Sequence, residues 1–593
     1  MINTVKMCGI IGCKGVENGN RVVINGLKRL EYRGYDSYGI GYLQGNEIHL
    51  FKKVGKISDW DGNIQLLKTE SKISIGHTRW ATNGMVTEAN THPHTAKDEI
   101  AVVHNGIIEN HQELRKELKE KGYKFYSETD TEIIPKLIHY YISEGDDFRK
   151  ATRKALQRLE GSFAIAAIKK GSEEMTFGRR GSPLVLGVGD NCFYIASDVP
   201  AFLEHTNKVI YLDDDEYGII KDKIEVYDLK NDKQANKNLQ EINWSLESAK
   251  KGNYDHFLIK EIHEQKFTIK RAIEQDTSLI KQAIDKLQKA DDLYFIACGT
   301  SFHAALAGSY IFSKIANKKI NTILASEFEN YGKFLTDKSV VIGLSQSGET
   351  ADLIEALKTA KKKGAKLISI VNVMGSTITR LCDINIMMNS GPEICVLSTK
   401  SYSSQLAILI LLAHGIIGKL QEGKSIIEKA SKEVENLIDE NSVNLKGLAK
   451  QLKDQKSIFL IGREIAYPTS LEGALKIKEV SYIHAEGFAG GELKHGSIAL
   501  FDKGVPAIIV ATDETRRLIQ SNASELKARG GYIIGIDSKP NEIYDYLIKV
   551  PEAGAATPIL LMIPLQILAY NLALERGTDP DKPRNLAKSV TVK

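Results

Sequence analysis

The sequence predicts a layered α+β domain followed by two copies of a parallel α/β unit. Short runs rich in β-branched and aromatic residues dominate the first 230 or so residues, and only a few helical patterns interrupt them. From about residue 255, apolar strands alternate with long amphipathic helices, which is the pattern of a parallel sheet. This alternation occurs twice, which indicates an internal duplication.

The predicted elements of the first domain are short. Its strands are 73–76, 100–103, 163–168, 193–196 and 209–212, and its clearest helices are 110–121 and 131–143. Residues 231–243 are polar, as expected of an interdomain linker.

In each α/β copy, two predicted strands end in a turn that precedes a helix. These strands are 292–297 and 338–344 in the first copy, and 457–461 and 505–510 in the second. Duplicated α/β domains commonly bind a ligand at the carboxyl ends of their strands, where the copies meet. We therefore expect the chemistry of this half of the chain in those turns.

The composition excludes several classes of protein. Of 593 residues, 42% are hydrophobic and 26% are charged, which is typical of packed globular domains. A net charge of +4 with dispersed lysines predicts no nucleic-acid partner. The six cysteines include no Cys-x-x-Cys pair, so we expect a cytoplasmic protein without a zinc module.

Neither the start of the sequence nor its longest apolar stretch predicts a membrane protein. Residues 1–6 are too few and too polar for a signal peptide. The longest apolar stretch, 558–574, contains Pro558, Pro564, Gln566 and Asn571, which favours a buried core helix over a membrane span.

Cys8 stands near the start of the chain, ahead of Gly-Ile-Ile-Gly. An N-terminal cysteine can be a nucleophile with its own base, because a free α-amine with a pKa near ~8 can take the thiol proton. That chemistry requires initiation at Met7 and loss of that methionine, or cleavage before Cys8. The alternative is a small apolar residue at the start of a strand.

The turn 345–350, Ser-Gln-Ser-Gly-Glu-Thr, precedes a helix predicted to begin near Ala351. Helix N-termini present unpaired N–H groups and a partial positive charge, and three hydroxyls add donors, so the turn predicts a phosphate site. Simple N-capping is the alternative. Thr300 and Ser301, in the turn one strand earlier, would add hydroxyls to the same crevice.

Glu472, Lys476 and Glu479 share one face of a helix predicted at 471–480. Spacing alone favours a solvated ladder of ion pairs. The alternative is that Glu479 moves a proton between adjacent sugar carbons while Lys476 balances the enediolate. His495 is either structural or an acid that opens a sugar ring.

Two motifs of the first domain are predicted to follow strands. Arg79, in His-Thr-Arg-Trp-Ala-Thr, offers the planar fork that suits a carboxylate. Asn105 and Gly106 form either an oxyanion hole or a tight turn. Asp130 either holds an ammonium group or caps the next helix. Four histidines, His92, His94, His104 and His111, lack helical metal-ligand spacing, so we expect no metal.

Together these segments resemble one family, the glutamine–fructose-6-phosphate aminotransferases (isomerising). The resemblance spans nearly the whole chain. It includes Met-Cys-Gly-Ile-Ile-Gly at 7–12, Glu-Tyr-Arg-Gly-Tyr-Asp-Ser at 31–37, His-Asn-Gly-Ile-Ile-Glu-Asn at 104–110, the turns at 298 and 345, Ser-Thr-Lys at 398, Gly-Glu-Leu-Lys-His-Gly at 491, and Pro-Arg-Asn-Leu-Ala-Lys-Ser-Val-Thr-Val at 583–592.

The resemblance implies an N-terminal-nucleophile (Ntn) hydrolase-type glutaminase domain followed by two sugar-isomerase (SIS) domains. The implied bounds are 8–230 for the glutaminase, 231–254 for a linker, 255–425 and 450–580 for the SIS domains, and 581–593 for a tail at the sugar site. It implies no cofactor, and a homodimer or higher homo-oligomer.

The resemblance also implies roles for individual residues. Cys8 would attack the glutamine amide, with Asn105 and Gly106 holding the oxyanion. The glutamine site would comprise Arg79 for the α-carboxylate, Asp130 for the α-amine, Thr82, and Trp80, which closes over glutamine and gates an ammonia channel.

At the implied sugar site, Lys588 would form a Schiff base with the ketose, His495 would open the ring, and Glu479 would shift the proton between C1 and C2. The remaining positions implied there are Thr300, Ser301, Ser345, Gln346, Ser347, Thr350, Ser398 and Lys476. The product would be glucosamine 6-phosphate, with release of glutamate.

Two features depart from the family pattern. Asn83 stands where relatives usually have histidine, and six residues precede Met7. Two other functions stay open on the sequence: an aminotransferase or isomerase of a related ketose phosphate, and a sugar-phosphate-binding regulator.

Overall fold

The computed structural model describes residues 8–60, 64–81, 83–242 and 251–590. They form two compact units, one within 8–242 and one within 251–588. Residues 1–7, on which the chemistry of Cys8 depends, and Thr82, a predicted glutamine-binding residue, lie outside the described residues.

The first unit contains two antiparallel sheets. Its strands are β1 (Gly9–Lys14), β2 (Ser37–Gln44), β3 (Glu47–Val54), β4 (Ile73–Arg79), β5 (His94–Ala96), β6 (Ile100–Ile108), β7 (Gly161–Lys169), β8 (Met175–Arg180), β9 (Val185–Val188), β10 (Phe193–Ala196), β11 (Lys208–Tyr211), β12 (Glu216–Ile220), β13 (Ile224–Asp228) and β14 (Gln240–Glu241). One sheet has the order β14-β11-β9-β10-β1-β4-β2-β3, and the other has the order β13-β12-β8-β7-β6-β5.

The two sheets pack face to face, with helices on their outer faces. The helices are α1 (Gly19–Leu30), α2 (Ile64–Lys68), α3 (His111–Glu120), α4 (Ile133–Ser143) and α5 (Phe148–Gln157). Ile10 and Ile75 of one sheet share a core with Val103 and Phe177 of the other. A Cβ on Gly76 would lie 2.3 Å from Val23, so glycine lets α1 approach the first sheet closely. The result is the layered α+β domain that the sequence predicts.

Two strands of this unit are longer than predicted. β4 continues to Arg79 and β6 continues to Ile108, so residues 77–79 of the first motif and all of the second lie inside strands, and the prediction that these residues follow strands is wrong. Asn105 pairs with Ala164, and therefore does not form a tight turn. The polar residues of these strands are buried, His77 fully, which hides the alternation that would have extended the prediction.

The predicted linker is ordered at its start. β14 pairs with β11 at the edge of the first sheet, and Lys237 forms an ion pair with Glu216 at 2.6 Å. The polar residues from 231 onward thus extend the first unit as far as Ile242, the last described residue of this segment.

The second unit contains two parallel sheets with the same topology. Its strands are β15 (Asp292–Ala297), β16 (Ile320–Leu324), β17 (Ser339–Ser345), β18 (Lys366–Val371), β19 (Ile384–Met387), β20 (Ser457–Gly462), β21 (His484–Ala489), β22 (Pro506–Val510), β23 (Tyr532–Asp537) and β24 (Tyr546–Lys549). The orders are β16-β15-β17-β18-β19 and β21-β20-β22-β23-β24. Numbered within each copy, both read 2-1-3-4-5, a doubly wound order, which confirms the predicted duplication.

Ten helices accompany these sheets in the described part of the second unit. They are α6 (Phe257–Ala272), α7 (Thr277–Lys289), α8 (Gly299–Ala316), α9 (Ala351–Lys362), α10 (Thr377–Leu381), α11 (Lys400–Ile416), α12 (Leu420–Leu452), α13 (Ala466–Ser481), α14 (Arg516–Lys527) and α15 (Thr557–Glu575). One continuous core joins both copies. α12 runs through the interval that the sequence left between the two SIS domains.

The most apolar helix is part of this core. Among the described residues, the segment Gly554–Glu575 is long and apolar enough to cross a membrane, but 94% of its apolar window is buried inside the unit. Pro564 and Gln566 lie inside α15 and are buried with it. The prediction of a core helix at this position is confirmed.

Candidate functional site

The thiol of Cys8 lies against the main chain of Trp80. The Trp80 N–H donates to Sγ at 3.3 Å, and the thiol donates to the Trp80 carbonyl at 3.5 Å. The Cys8 carbonyl accepts hydrogen bonds from Arg33 Nε at 3.1 Å and from Asn105 Nδ2 at 2.9 Å. β1 and β4 are neighbours, so the residue before β1 meets the residue after β4.

Burial raises the pKa of the Cys8 thiol to about 11, although the Trp80 N–H and the guanidinium groups of Arg79 and Arg33 oppose the shift. Nearly all of the thiol is therefore protonated at neutral pH, and a nucleophile at this position needs a base. Among the described residues, the hydrogen bonds of Sγ go to Trp80. An α-amine on Cys8 itself would meet the need.

His77 fixes the orientation of Asn105. Its Nε2 lies 2.9 Å from the His104 carbonyl and 3.1 Å from Asn105 Oδ1, and because both are acceptors, Nε2 carries the proton. The Asn105 amide then points its NH₂ at the Cys8 carbonyl and at Ser197 Oγ, 2.8 Å away. Burial lowers the pKa of His77 to about 3, so the ring is neutral at neutral pH.

Gly106 occupies a position that only glycine fits. Its φ is +127°, and a Cβ would lie 2.1 Å from the Ser162 carbonyl oxygen on β7. The predicted oxyanion pair, Asn105 and Gly106, therefore lies on a rigid strand beside Cys8.

The guanidinium of Arg79 donates hydrogen bonds to the loop that follows it. It donates to the carbonyls of Asn83 at 2.6 Å, of Gly84 at 3.1 Å and of Met85 at 3.1 Å. Arg79 is 2% exposed, and burial lowers its pKa. The Arg79 guanidinium, which the sequence predicts to bind a carboxylate, thus binds three carbonyl oxygens in this structure.

Asp130 lies beside this group and does not cap α4. Its Oδ2 accepts the Ile108 N–H at 2.8 Å, and α4 begins without a side-chain cap. The capping interpretation of Asp130 is therefore wrong. Its carboxylate, 4% exposed, raises the pKa of Cys8 slightly by repulsion.

Three of the four histidines considered for a metal are buried beside His77. His92 stacks on His77 with ring centroids 4.0 Å apart, and His94 meets His92 edge-on. Burial lowers the pKa of His92, His94 and His104. Within the part of the chain that the structure describes, no group of three or more His, Cys, Asp or Glu residues is arranged to hold a metal ion.

In the second unit, the serine turn lies between β17 and α9, and α9 begins at Ala351 as predicted. The hydroxyls of Ser345 and Thr350 are 2.9 Å apart, and Ser345 Oγ accepts the Gly348 N–H at 3.1 Å. Ser347 Oγ accepts the Glu349 N–H at 3.2 Å, and the Gln346 carbonyl accepts the Asn372 N–H at 3.1 Å. The turn lies at the switch point between the first and third strands.

Gly348 is essential to the shape of this turn. Its φ is +67°, and a Cβ would lie 2.0 Å from Ser376 Oγ. We expect Gly348→Ala to displace the turn and to raise the KM for a sugar phosphate roughly tenfold or more, which is ~1.4 kcal/mol or more of lost binding. Steady-state kinetics measures it.

Gly364→Ala is the matched control for that variant. Gly364 also has a positive φ, +82°, but its nearest neighbour to a new Cβ is 3.5 Å away at Asp337. It should share the backbone strain and leave the KM unchanged. An unchanged KM in Gly348→Ala would contradict a phosphate role for the turn.

Glu472 and Lys476 are buried and, together with the half-buried Glu479, form a cluster with residues of the first copy. Lys476 Nζ lies 3.3 Å from Glu472, 2.7 Å from Glu479 and 3.0 Å from the Thr300 hydroxyl. Glu472 is 0% exposed and Lys476 is 1% exposed, so the solvated ladder that the spacing favours is wrong. Lys476 also reaches the Ser398 carbonyl at 3.4 Å.

Burial and charge shift the cluster's three pKa values apart. Burial raises the pKa of Glu479, although Lys476 opposes the shift. Burial would also raise the pKa of Glu472, but Lys476 and His303 hold it below its ordinary value. Burial would lower the pKa of Lys476, but the two carboxylates raise it. Glu479 is thus the carboxylate more easily protonated.

Lys588 is buried in a second ion pair. Its Nζ donates to Glu393 Oε2 at 2.6 Å and to the Leu397 carbonyl at 3.4 Å, and the two side chains are 5% and 0% exposed. Glu393 also accepts the N–H groups of Thr399 and Ser401 at 3.0 and 3.1 Å. The loop that carries Ser398 is therefore fixed at the start of α11.

The surroundings of Ser301 and His495 differ from those of the cluster of Glu472, Lys476 and Glu479. The Ser301 hydroxyl accepts from Gln405 Nε2 at 2.9 Å and is buried. His495 ends a short 3₁₀ helix, Glu492–His495, and is exposed. The structure brings Thr300, Lys476 and Glu479 together but does not place His495 among them.

The equivalent turn of the second copy, after β22, carries acidic residues. Asp513 and Glu514 stand between Thr512 and Thr515, whose hydroxyls are 2.9 Å apart. Arg516 is surrounded by carboxylates: it pairs with Asp513, with Asp537 at 2.9 Å and with Glu552 at 4.0 Å. The positive charge of Arg516 is therefore neutralised by neighbouring carboxylates.

Comparisons with known proteins agree with both units. The model of the glutamine amidotransferase domain matches residues 77–204, and that of the SIS domain matches 286–415 and 451–576. Glutamine–fructose-6-phosphate aminotransferases (isomerising) from Thermococcus kodakarensis and Pyrococcus horikoshii are 45% and 44% identical to the chain, over 99% of it and 100% of each relative. The chain belongs to this family.

A solved structure supports the fold of the second unit of this aminotransferase family member. It is the C-terminal domain of glucosamine-fructose-6-phosphate aminotransferase from Francisella tularensis, which matches with a TM-score of 0.51 and 33% identity over 56% of this chain and 100% of that one. The predicted fold, a glutaminase domain followed by two SIS domains, is confirmed.

Sequence reasoning missed three residues of this family member: the buried His77 and Glu393, and the half-buried His303. His303 could have been found, because it follows Thr300 by three residues and so shares its helical face. His77 and Glu393 contact residues 28 and 195 positions away, and no local spacing predicts such contacts.

Proposed function

We propose that the chain transfers the amide nitrogen of glutamine to fructose 6-phosphate and isomerises the product to glucosamine 6-phosphate, with release of glutamate. The observation that carries the proposal is the Lys476–Glu479 pair, 2.7 Å apart, whose lysine also contacts Thr300 after β15, while the serine turn follows the neighbouring strand β17. A proton-transfer pair and an anion site are both needed for an aldose–ketose shift. Family membership supplies the substrates.

In the first unit, Cys8 is proposed to attack the glutamine amide. Asn105 and Gly106 would hold the oxyanion, and the orientation that His77 gives to the Asn105 amide supports this role. Ammonia leaves, and water then hydrolyses the thioester to glutamate. The α-amine of Cys8 would take the thiol proton.

Arg79, Trp80, Thr82 and Asp130 are proposed to bind glutamine. In the structure Arg79 holds the carbonyls of residues 83–85, and a substrate carboxylate would replace these neutral acceptors with a charged one. Binding would thus release the loop that carries Asn83. Its main-chain carbonyl, rather than its side chain, contacts Arg79, so this contact does not depend on the residue at position 83.

In the second unit, Lys588 is proposed to condense with the C2 ketone of fructose 6-phosphate, forming an imine and releasing water. Ammonia then displaces the lysine at C2, and Glu479 moves a proton from C1 to C2, with Lys476 balancing the charge. His495 would open the ring, and its exposure in this structure is compatible with a residue that meets the substrate on binding. The proposed phosphate and sugar contacts are Thr300, Ser301, Ser345, Gln346, Ser347, Thr350 and Ser398.

The bounds 255–425 and 450–580 stand as our proposal for the two SIS domains, and 581–593 for the sugar-site tail. The glutaminase domain is proposed to extend beyond the predicted bounds 8–230 to Ile242, because β14 pairs with β11, which shortens the predicted linker 231–254 at its start. We also propose a homodimer or larger homo-oligomer, as the family resemblance implies. The six cysteines are all free thiols, which supports a cytoplasmic location.

Product analysis with amide-labelled glutamine tests the function. We expect the label in glucosamine 6-phosphate and one glutamate for each product molecule. Label in the product of a different ketose phosphate, formed at a higher kcat/KM, would show the related aminotransferase instead. Binding of fructose 6-phosphate without turnover would show a regulator.

A further inference from the structure

Glu472 joins the two copies of the α/β fold. It belongs to α13 of the second copy, but two of its three side-chain donors come from α8 of the first. The Thr300 hydroxyl donates to Oε1 at 3.0 Å, and His303 Nδ1 lies 2.7 Å from Oε2. Lys476, one turn along α13, is the third donor at 3.3 Å. His303 is the residue of this group to which no role has been given above.

The charges fix the direction of the His303 hydrogen bond. Glu472 is fully buried, and Lys476 and His303 hold its pKa below the ordinary value, so it is an ionised acceptor. Nδ1 of His303 therefore carries the proton. The imidazole satisfies one oxygen of the carboxylate and leaves the other to Thr300 and Lys476.

Lys476 lies between two carboxylates that compete for it. It is closer to Glu479, at 2.7 Å, than to Glu472, at 3.3 Å. A buried Glu472 that lacked the His303 donor would have one oxygen without a partner, and the nearest cation that could satisfy it is Lys476. The pairing of Lys476 with Glu479 thus depends on the saturation of Glu472.

We propose that His303 is a positioning residue for the sugar chemistry: by hydrogen-bonding Glu472, it keeps Lys476 paired with Glu479. The inference rests on the proposed function, in which Glu479 moves the proton. It assigns His303 no contact with substrate.

The proposal has a direction in pH. The charged groups that face Glu479 are Lys476 and Glu472 on its own helix and Lys588 of the C-terminal segment, and His303 of α8 acts through Glu472. If Lys476 moves towards Glu472, Glu479 loses its nearest cation and its pKa rises further. A base with a raised pKa is protonated at higher pH, so the acidic limb of kcat moves to higher pH.

His303→Leu and His303→Asn test this. Leucine fills the space without a donor, whereas the asparagine amide can donate from nearly the position of Nδ1. We expect His303→Leu to lower the kcat of glucosamine 6-phosphate formation roughly tenfold, with KM for fructose 6-phosphate within about twofold, and to move the acidic limb up by roughly half a pH unit. His303→Asn should restore most of the kcat and most of the original position of the acidic limb.

The controls separate this role from a structural one. His414→Leu removes a buried imidazole of the same unit, whose Nδ1 bonds the Ile410 carbonyl, and should leave the pH profile unchanged. Glutamine hydrolysis by the first unit should not change in any variant. An unshifted acidic limb in His303→Leu, or an equal loss in His303→Asn, would overturn this inference alone. Absence of glucosamine 6-phosphate from the unmodified protein would overturn the proposed function with it.

Discussion

Cys8→Ala is expected to abolish both glutamine hydrolysis and glutamine-dependent product formation, by at least about 1,000-fold. The thiol is the only proposed group in the first unit that can form a covalent bond to the amide carbon. The variant should bind fructose 6-phosphate normally, because that site belongs to the second unit. Glutamate release and a thermal shift with fructose 6-phosphate measure the two properties.

Cys13→Ala is the matched control. Cys13 lies on the adjoining strand β1, is fully buried, and its thiol donates to the Gly19 carbonyl at 3.5 Å. Its loss should reduce stability by roughly 1 kcal/mol and leave the rate of hydrolysis unchanged. Retained glutamine-dependent synthesis by Cys8→Ala would refute the assignment of the nucleophile.

The pH profile of the same assay reports on the base. A chain that begins at Cys8 should hydrolyse glutamine at a rate that levels off above pH ~8, where its α-amine is unprotonated. A chain that keeps residues 1–7 has no such amine, and its glutamine hydrolysis should be lost over the same pH range, because the buried thiol, with a pKa of about 11, then lacks a base. Mass measurement identifies which chain each preparation contains.

Lys588→Arg is expected to abolish glucosamine 6-phosphate formation, because a guanidinium keeps the charge beside Glu393 but cannot form an imine with C2. In the unmodified protein, cyanoborohydride and fructose 6-phosphate should leave a reduced sugar adduct on Lys588. Peptide mass mapping locates it. Product formation by the arginine variant, or an adduct on another lysine, would refute the role of Lys588.

Lys588→Met shows how much the buried pair contributes to stability. It leaves the Glu393 carboxylate, 0% exposed, without its cation, which should cost roughly 3–5 kcal/mol. Adding Glu393→Gln removes the unpaired charge and should restore much of the melting temperature without restoring activity. The double variant thus separates the loss of chemistry from the loss of stability.

An element could be predicted from the sequence where the residues that determine it are neighbours in the chain. The turn 345–350 was predicted with its helix start, because a glycine, hydroxyls and a preceding apolar strand are all local signals. The polar ends of strands β4 and β6 were not predicted. Buried histidines interrupt the apolar pattern there, and the hydrogen-bond partners of these histidines are distant in sequence.

The cluster on α13 shows a different limit. Glu472, Lys476 and Glu479 have the same spacing whether their helix face is solvated or buried, and the spacing favoured the solvated case. What buries them is α8 of the other copy, through Thr300 and His303. Burial that arises from packing of one domain on another leaves no trace in the periodicity of either helix.

The acidic turn after β22 bears on binding stoichiometry. The two copies share one strand order, so each has a turn after its third strand at the equivalent position. In the second copy Asp513 and Glu514 would repel a dianion, and Arg516 is already neutralised by three carboxylates. Each chain is thus expected to hold one sugar phosphate rather than two. Under the proposed function, the two copies contribute different halves of a single site: the first copy would supply the phosphate-binding turn and the second the acid–base helix.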